Sequence, residues 1–330
     1  MIRFTVLVLV AAVLLAASPA ATQPRLVPVT AASVSTHWTV TLGPTVALKK
    51  GFWRDEGLDV KFTVVGPAAT HVAALAGGTF QFSINLTTDT LARAAGAGAQ
   101  LVAIMGSTNQ NSYALFGRPQ IRTLADLRGK RVATDTPGGP IDTFALEILG
   151  EAGVASREVN MIPVAGTITE RVNAMVAGAA DAAVGTMSDW PTLRAQGMNL
   201  LFRLSDLYPN WQFAVMAAPT SLVERNPAVA KAWIKGFIRA FRFMKDPRNE
   251  AELLAIAKEA KLSVDEARWN EGLAVQRDFW PADGGLNLRG TELVLLRERD
   301  AGRIPKDLTL TRFLRLRPLE EAQRELGLRK

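Results

Sequence analysis

Two stretches of this chain match each other at an offset of one hundred residues, and that relation constrains the fold most. Val72 matches Val172, Ala74 matches Ala174, Gly78 matches Gly178, Asp89 matches Asp189 and Leu101 matches Leu201. Each copy, Val72 to Leu101 and Val172 to Leu201, reads as helix, glycine, short apolar strand, polar loop, helix and next strand. A match at so long a period points to two similar α/β units and not to a solenoid. Two copies predict two lobes facing each other. Polar loops after equivalent strands predict a ligand between them.

A length of 330 residues suits two such lobes. The first residues read as a secretory signal. Arg3 gives the positive start, Phe4 to Ala17 a short apolar run, and Ser18 to Ala21 the small residues of a cleavage site. The run is short for a membrane span and Pro19 follows it. We therefore expect residues 1–20 to be removed and the mature chain to be soluble and periplasmic. The chain has no cysteine. A disulfide, a lipid-anchoring cysteine, a Cys nucleophile and a Cys metal site are all excluded. The net charge of +7 is spread along the chain with acids between the bases. The densest basic stretch, Arg312 to Arg317, is followed by Glu320, Glu321 and Glu325, which reads as a solvated helix face. No nucleic-acid-binding motif accompanies it, so nucleic acid is not an expected partner.

Strands alternating with helices predict parallel α/β sheets. Pro44 is expected to open a helix that Gly51 closes. Asn109 to Phe116 and Gln212 to Ala217 read as crossings between the lobes. This gives lobe 1 as residues 25–112 and 218–330, and lobe 2 as 113–217, joined by a two-segment hinge able to close on a ligand. From Pro219 onward helices dominate, and Val229, Trp233, Phe237 and Phe241 mark a buried face at helical spacing.

In open α/β sheets ligands lie off the carboxyl ends of strands. That selects the loops Ser33 to Trp38, Asn85 to Thr88, Ser107 to Asn111, Asp135 to Pro140 and Gly185 to Trp190. Several run into helix starts, where free N–H groups attract anions. From the first loop Ser35, Thr36, His37 and Trp38 are candidates. Asn85, Thr87, Thr88, Asn109, Thr136, Thr186 and Ser188 offer hydrogen bonds to a ligand oxygen, although Thr88 and Ser188 equally suit helix capping. Gly138 and Gly139 would let the backbone approach a ligand, or would simply make a tight strand–helix turn. Trp38, Trp190 and Trp211 could stack on a planar or apolar part, or could serve only packing.

Two histidines and no cysteine make a transition-metal site improbable, and no cofactor is expected. No Gly-x-Ser-x-Gly elbow occurs. Asp135 and Asp142 straddle a turn and show no other sign of acid–base work. A non-enzymatic role is therefore expected.

Three strings carry a family resemblance. Ala47-Leu-Lys-Lys-Gly-Phe-Trp-Arg-Asp-Glu-Gly-Leu58-Asp-Val60 resembles the A…G-F-F…E-G-L-x-V stretch of ABC-importer substrate-binding proteins of the nitrate/sulfonate/taurine type. Leu124 to Ala133 is similar to that family's dL-kGK-kva string, and Arg171 to Gly185 to its R…Al…G-x-v-D-a string. The resemblance spans nearly the whole mature chain. It departs at Gln81, where the family commonly has Asp, and at Trp53, where it has Phe. It implies the α/β type II periplasmic binding protein fold and delivery of a small solute to an ABC permease in the inner membrane. The same superfamily includes fungal thiamine-pyrimidine synthases, whose cysteine-rich motif this chain lacks. The resulting expectation is a monomer that binds a small organic anion, a sulfonate or carboxylate with an aromatic or apolar part. The alternatives are a neutral pyrimidine-type thiamine precursor, an enzyme on the same fold, or a sensory binding protein.

Overall fold

In the computed structural model, residues 25–164 and 166–329 are described. The segment read as a signal, residues 1–20, lies outside them. Ten strands are present among the described residues: β1 (Val27–Ser33), β2 (Leu58–Val64), β3 (Phe82–Thr87), β4 (Leu101–Thr108), β5 (Tyr113–Gly117), β6 (Arg131–Thr134), β7 (Asn160–Pro163), β8 (Ala182–Thr186), β9 (Asn199–Arg203) and β10 (Ala214–Pro219). They form two five-stranded sheets, ordered β2-β1-β3-β10-β4 and β7-β6-β8-β5-β9.

The two orders are the same pattern. β6, β7, β8 and β9 take the places of β1, β2, β3 and β4. In each sheet the fourth strand belongs to the segment that crosses from the other lobe: β10 in the first, β5 in the second. The repeated stretches supply equivalent elements. The Ala68–Ala76 helix leads to β3, and the Ile168–Val176 helix leads to β8. Gly78 and Gly178, one hundred residues apart, end these helices with φ of 77° and 83°. That is the left-handed conformation in which glycine carries no steric cost.

Three sequence expectations change. The sheets are mixed, because β10 runs antiparallel to β3 and β4, and β5 antiparallel to β8 and β9. A strand arriving from the opposite lobe enters from the far end and must run the other way. For the same reason residues 214–217, counted above with lobe 2, pair in the first sheet. Third, the helix expected to open at Pro44 spans Trp38–Lys49 with Pro44 inside it. His37 caps it, its Nδ1 accepting from the Thr39 N–H. Proline in mid-helix leaves the carbonyl four residues back without its usual donor, and here that carbonyl belongs to Val40.

The helical C-terminal region packs on the first sheet. The Pro227–Lys245 helix buries Trp233, Phe237 and Phe241. Trp233 is stacked between Trp53 and Phe82, with ring centroids 4.5 Å apart on both sides. Aromatic burial on this scale dominates core energetics.

Two segments connect the lobes, residues 109–112 and 208–213. Gln212, fully buried, ties them together. Its side-chain amide donates to the carbonyls of Thr108 (3.1 Å) and Ala214 (2.8 Å), and its oxygen accepts from the Asn287 N–H (2.7 Å). Across the molecule the lobes also touch. Ser188 Oγ donates to Gln276 (2.6 Å), and Thr192 donates to Asp265 (2.8 Å).

Candidate functional site

A cavity of about 570 Å³ lies between the lobes, walled by both. Four helices begin at it: Ala68–Ala76 and Thr88–Gly96 from lobe 1, Pro140–Glu151 and Ile168–Val176 from lobe 2. Helix starts carry unpaired N–H groups and a partial positive charge that favour anions, but the starts at Pro140 and Ile168 are already capped by the Asp135 and Glu170 carboxylates. Ser35, Asn85, Thr87 and Thr90 line it on one side, and Tyr113, Thr136 and Thr167 on the other. Val34, Val40, Leu86, Ile141 and Ile168 make much of the rest apolar.

Charge in the cleft comes from Arg93, Arg171 and Asp135. The guanidinium of Arg93 is held by Glu298, at 2.7 Å and 3.2 Å, and sits 3.4 Å from Asp89. Arg171 is different. It is only 4% exposed, and its Nε has no hydrogen-bond partner among the described residues. It makes no ion pair there either. A buried cation without a partner is costly, so such a group is expected where a ligand completes it. Tyr113 is buried beside it, and burial pushes its phenol up to about 12. At neutral pH it therefore stays protonated and able to donate.

The Asp135 to Pro140 loop does not offer its amides freely. Asp135 accepts from the N–H groups of Ile141 (3.2 Å) and Asp142 (2.9 Å), and Asp142 accepts from that of Gly138 (2.9 Å). The Pro140–Glu151 helix start is thus capped from within. Gly139 serves this cap, since a Cβ there would stand 2.6 Å from the Asp135 carboxylate oxygens.

A family model described as NMT1/THI5 like matches residues 38–251. The chain belongs to the NMT1/THI5-like family. Among curated proteins, a formylaminopyrimidine-binding protein of Halalkalibacterium halodurans is 25% identical over 238 residues, covering 70% of this chain and 71% of that one. Among solved structures, the periplasmic nitrate-binding protein NrtA from Synechocystis PCC 6803 superposes with a TM-score of 0.71 at 14% identity, covering 92% of this chain and 90% of that one. The alkanesulfonate-binding protein SsuA from Xanthomonas axonopodis pv. citri, bound to MOPS, gives 0.68 at 15% identity over 90% of this chain and 100% of that one. These likenesses give the NMT1/THI5-like chain the type II periplasmic binding fold.

Within this NMT1/THI5-like chain the residues expected at the ligand divide. Ser35, Asn85, Thr87, Thr136, Gly138 and Gly139 line the cleft. His37, Trp38 and Ser188 line a second cavity of about 500 Å³ between the lobes. There His37 Nε2 lies 3.0 Å from Asp189 Oδ1, a contact across the lobes. Burial favours the neutral acid at Asp189, but His37 and the Thr186 N–H and hydroxyl outweigh it and hold the carboxyl below its ordinary range. Thr36 stands at the rim, 3.5 Å from Thr167.

The others serve structure. Thr88 is fully buried and donates to the Phe213 carbonyl in the hinge. Asn109 bonds Gly285 and Gln212. Thr186 donates twice to Asp189. The tryptophans expected at the ligand are engaged by other aromatic rings. Trp38 lies against Trp269 (5.1 Å) and Trp280, Trp190 stacks on Phe116 (6.0 Å), and Trp211 meets Tyr208 (4.7 Å). Helix formation from Trp38 turns its ring into lobe 1, which the expected start at Pro44 would not have done.

Arg171, Arg93 and Tyr113 are cleft residues that loop reasoning did not name, and Asp135, at the head of a selected loop, was weighed only for acid–base work. Arg171 sits in a helix and not in a loop. Its signal was the repeat itself, which sets it opposite His71.

Proposed function

We propose that this chain is the solute receptor of an ABC importer, working in the periplasm and closing its cleft on a small organic anion. The observation that carries this reading is Arg171, a buried and unpartnered cation in a cleft lined by four helix starts. The apolar walls suit a ligand with a hydrocarbon or aromatic body attached to a sulfonate or carboxylate. A permease then recognises the closed form. The relatives described above bind nitrate, alkanesulfonate and formylaminopyrimidine, which supports binding without turnover.

The curated relative favours a second reading, a pyrimidine-type ligand. The cleft would meet it with Asp135, Tyr113 and the polar side chains, not with a tryptophan sandwich.

A thermal-shift screen of the mature chain separates the two. It covers sulfonates, aromatic carboxylates, nitrate, bicarbonate and pyrimidines. A ligand at a hundred times its dissociation constant stabilises by about 2.7 kcal/mol, which moves the melting point by a few degrees. Shifts among organic anions support the first reading. Shifts confined to pyrimidines replace it with the second.

A further inference from the structure

The Trp269–Arg277 helix presents two faces at helical spacing. Trp269 and Leu273, one turn apart, are buried in the core of lobe 1. Arg277 fixes the end of the helix there, its Nε donating to the Met244 carbonyl at 3.1 Å. Gly272 and Gln276, also one turn apart, meet lobe 2. Gln276 is 2% exposed and accepts from Ser188 Oγ at 2.6 Å. Gly272 lets the helix come so near that a Cβ on it would stand 3.0 Å from the Ser188 carbonyl oxygen. Thr192 donates to Asp265 at 2.8 Å, and Arg194 pairs with Glu271 at 3.2 Å. Both partners of that ion pair are exposed, so it contributes little. The Ser188–Gln276 bond lies out of water and carries most of the contact between this helix and lobe 2.

None of these residues lines the cleft that holds Arg171. The contact therefore needs no solute to form. Contacts made while the lobes meet, and lost when they part, favour the first arrangement by their differential free energy. We propose that the Trp269–Arg277 helix is a latch that holds the lobes together in the unliganded protein, so that a solute enters only after its release. When the lobes part, the latch exchanges its buried bond for bonds to water. The bond is then worth a population shift of about tenfold and is not an absolute lock. A minor population with separated lobes remains, and solute enters through it. This goes beyond the receptor reading above and does not depend on which solute the cleft takes.

Distances between two spin labels on the unliganded mature chain test this. The chain has no cysteine, so Lys61→Cys and Arg157→Cys give unique labels. Both positions are exposed, one in each lobe, on or beside β2 and β7, the edge strands furthest in sheet order from the crossing strands. The short distance of the latched arrangement is expected to dominate in the otherwise unaltered chain. Ser188→Ala removes the buried bond. Gly272→Val wedges the helix off lobe 2 and keeps every bonding group. Each is expected to raise the ratio of long to short distances about tenfold. Melting curves check that both variants fold. An unaltered chain dominated by the longer distance overturns the proposal, and so does an unchanged distribution in either folded variant. Because no solute is added, none of these results bears on the anion reading, which the thermal screen decides.

Discussion

His71 and Arg171 occupy equivalent places on equivalent helices, and only His71 has its polar atoms answered. His71 is fully buried, with Nδ1 3.0 Å from the Val65 carbonyl oxygen and Nε2 2.8 Å from Ser83 Oγ. One copy of the repeat uses this position to close a core. The other points a cation into the cleft. Replacing His71 by Leu leaves the Val65 carbonyl and the Ser83 hydroxyl buried without it. A loss of about 1–3 kcal/mol is expected in urea unfolding of the ligand-free chain.

Acid offers a separate check on His71. Burial lowers its pKa from the ordinary 6.5, against the Val65 and Ser33 carbonyls, which raise it. The unfolded chain therefore binds a proton at higher pH than the folded one. The stability that neutral His71 contributes is present above about pH 6.5 and is lost as pH falls toward the folded value. Melting temperatures measured between pH 7 and pH 5 are expected to fall in the wild type and to flatten in His71→Gln. Parallel slopes in the two proteins would count against a buried neutral imidazole.

The His37–Asp189 contact joins the lobes at 3.0 Å, with both side chains largely buried. Neighbouring groups in one network couple by about 0.5–3 kcal/mol in double-mutant cycles. A cycle of His37→Phe and Asp189→Asn, read by denaturant unfolding of the ligand-free chain, is expected to show coupling in that range. Additive effects would mean that the lobes do not meet there in solution.

Much of the fold was legible because it is written twice. The shared glycines and the order of elements announced two α/β units, and helical spacing announced the face that carries Trp233 and Phe237. The antiparallel β5 and β10 were not legible, since strand direction depends on which lobe the chain arrives from. In the site, Ser35, Asn85, Thr87 and Thr136 follow from the rule that ligands lie beyond strand ends. Trp38 lines a different interlobe cavity from the one that holds Arg171, because His37 caps a helix that starts there and packs the ring on Trp269 and Trp280. Arg171 was overlooked because burial without a partner is a three-dimensional property that spacing does not reveal.

Gln212 donates across the hinge to the Thr108 carbonyl and to Asn109 Oδ1, and is bonded as well to the Ala214 carbonyl and the Asn287 N–H. Gln212→Leu keeps the approximate volume and strands the Asn287 N–H and two carbonyls. A loss of about 1–3 kcal/mol is expected for each group left without a partner, partly relieved by water. Urea unfolding measures it. A variant as stable as the wild type would remove Gln212 from the hinge.

Arg171 carries the central claim, and Arg171→Met tests it with two readings on one protein. A residue kept for a ligand should weaken binding when removed without weakening the empty fold, because its buried Nε has no hydrogen-bond partner among the described residues. Calorimetry with the anion selected by the thermal screen is expected to show a loss of about 3 kcal/mol, roughly a hundredfold. The ligand-free melting temperature is expected to hold or rise. A variant that melts lower and binds that anion as tightly as the wild type would contradict the assignment.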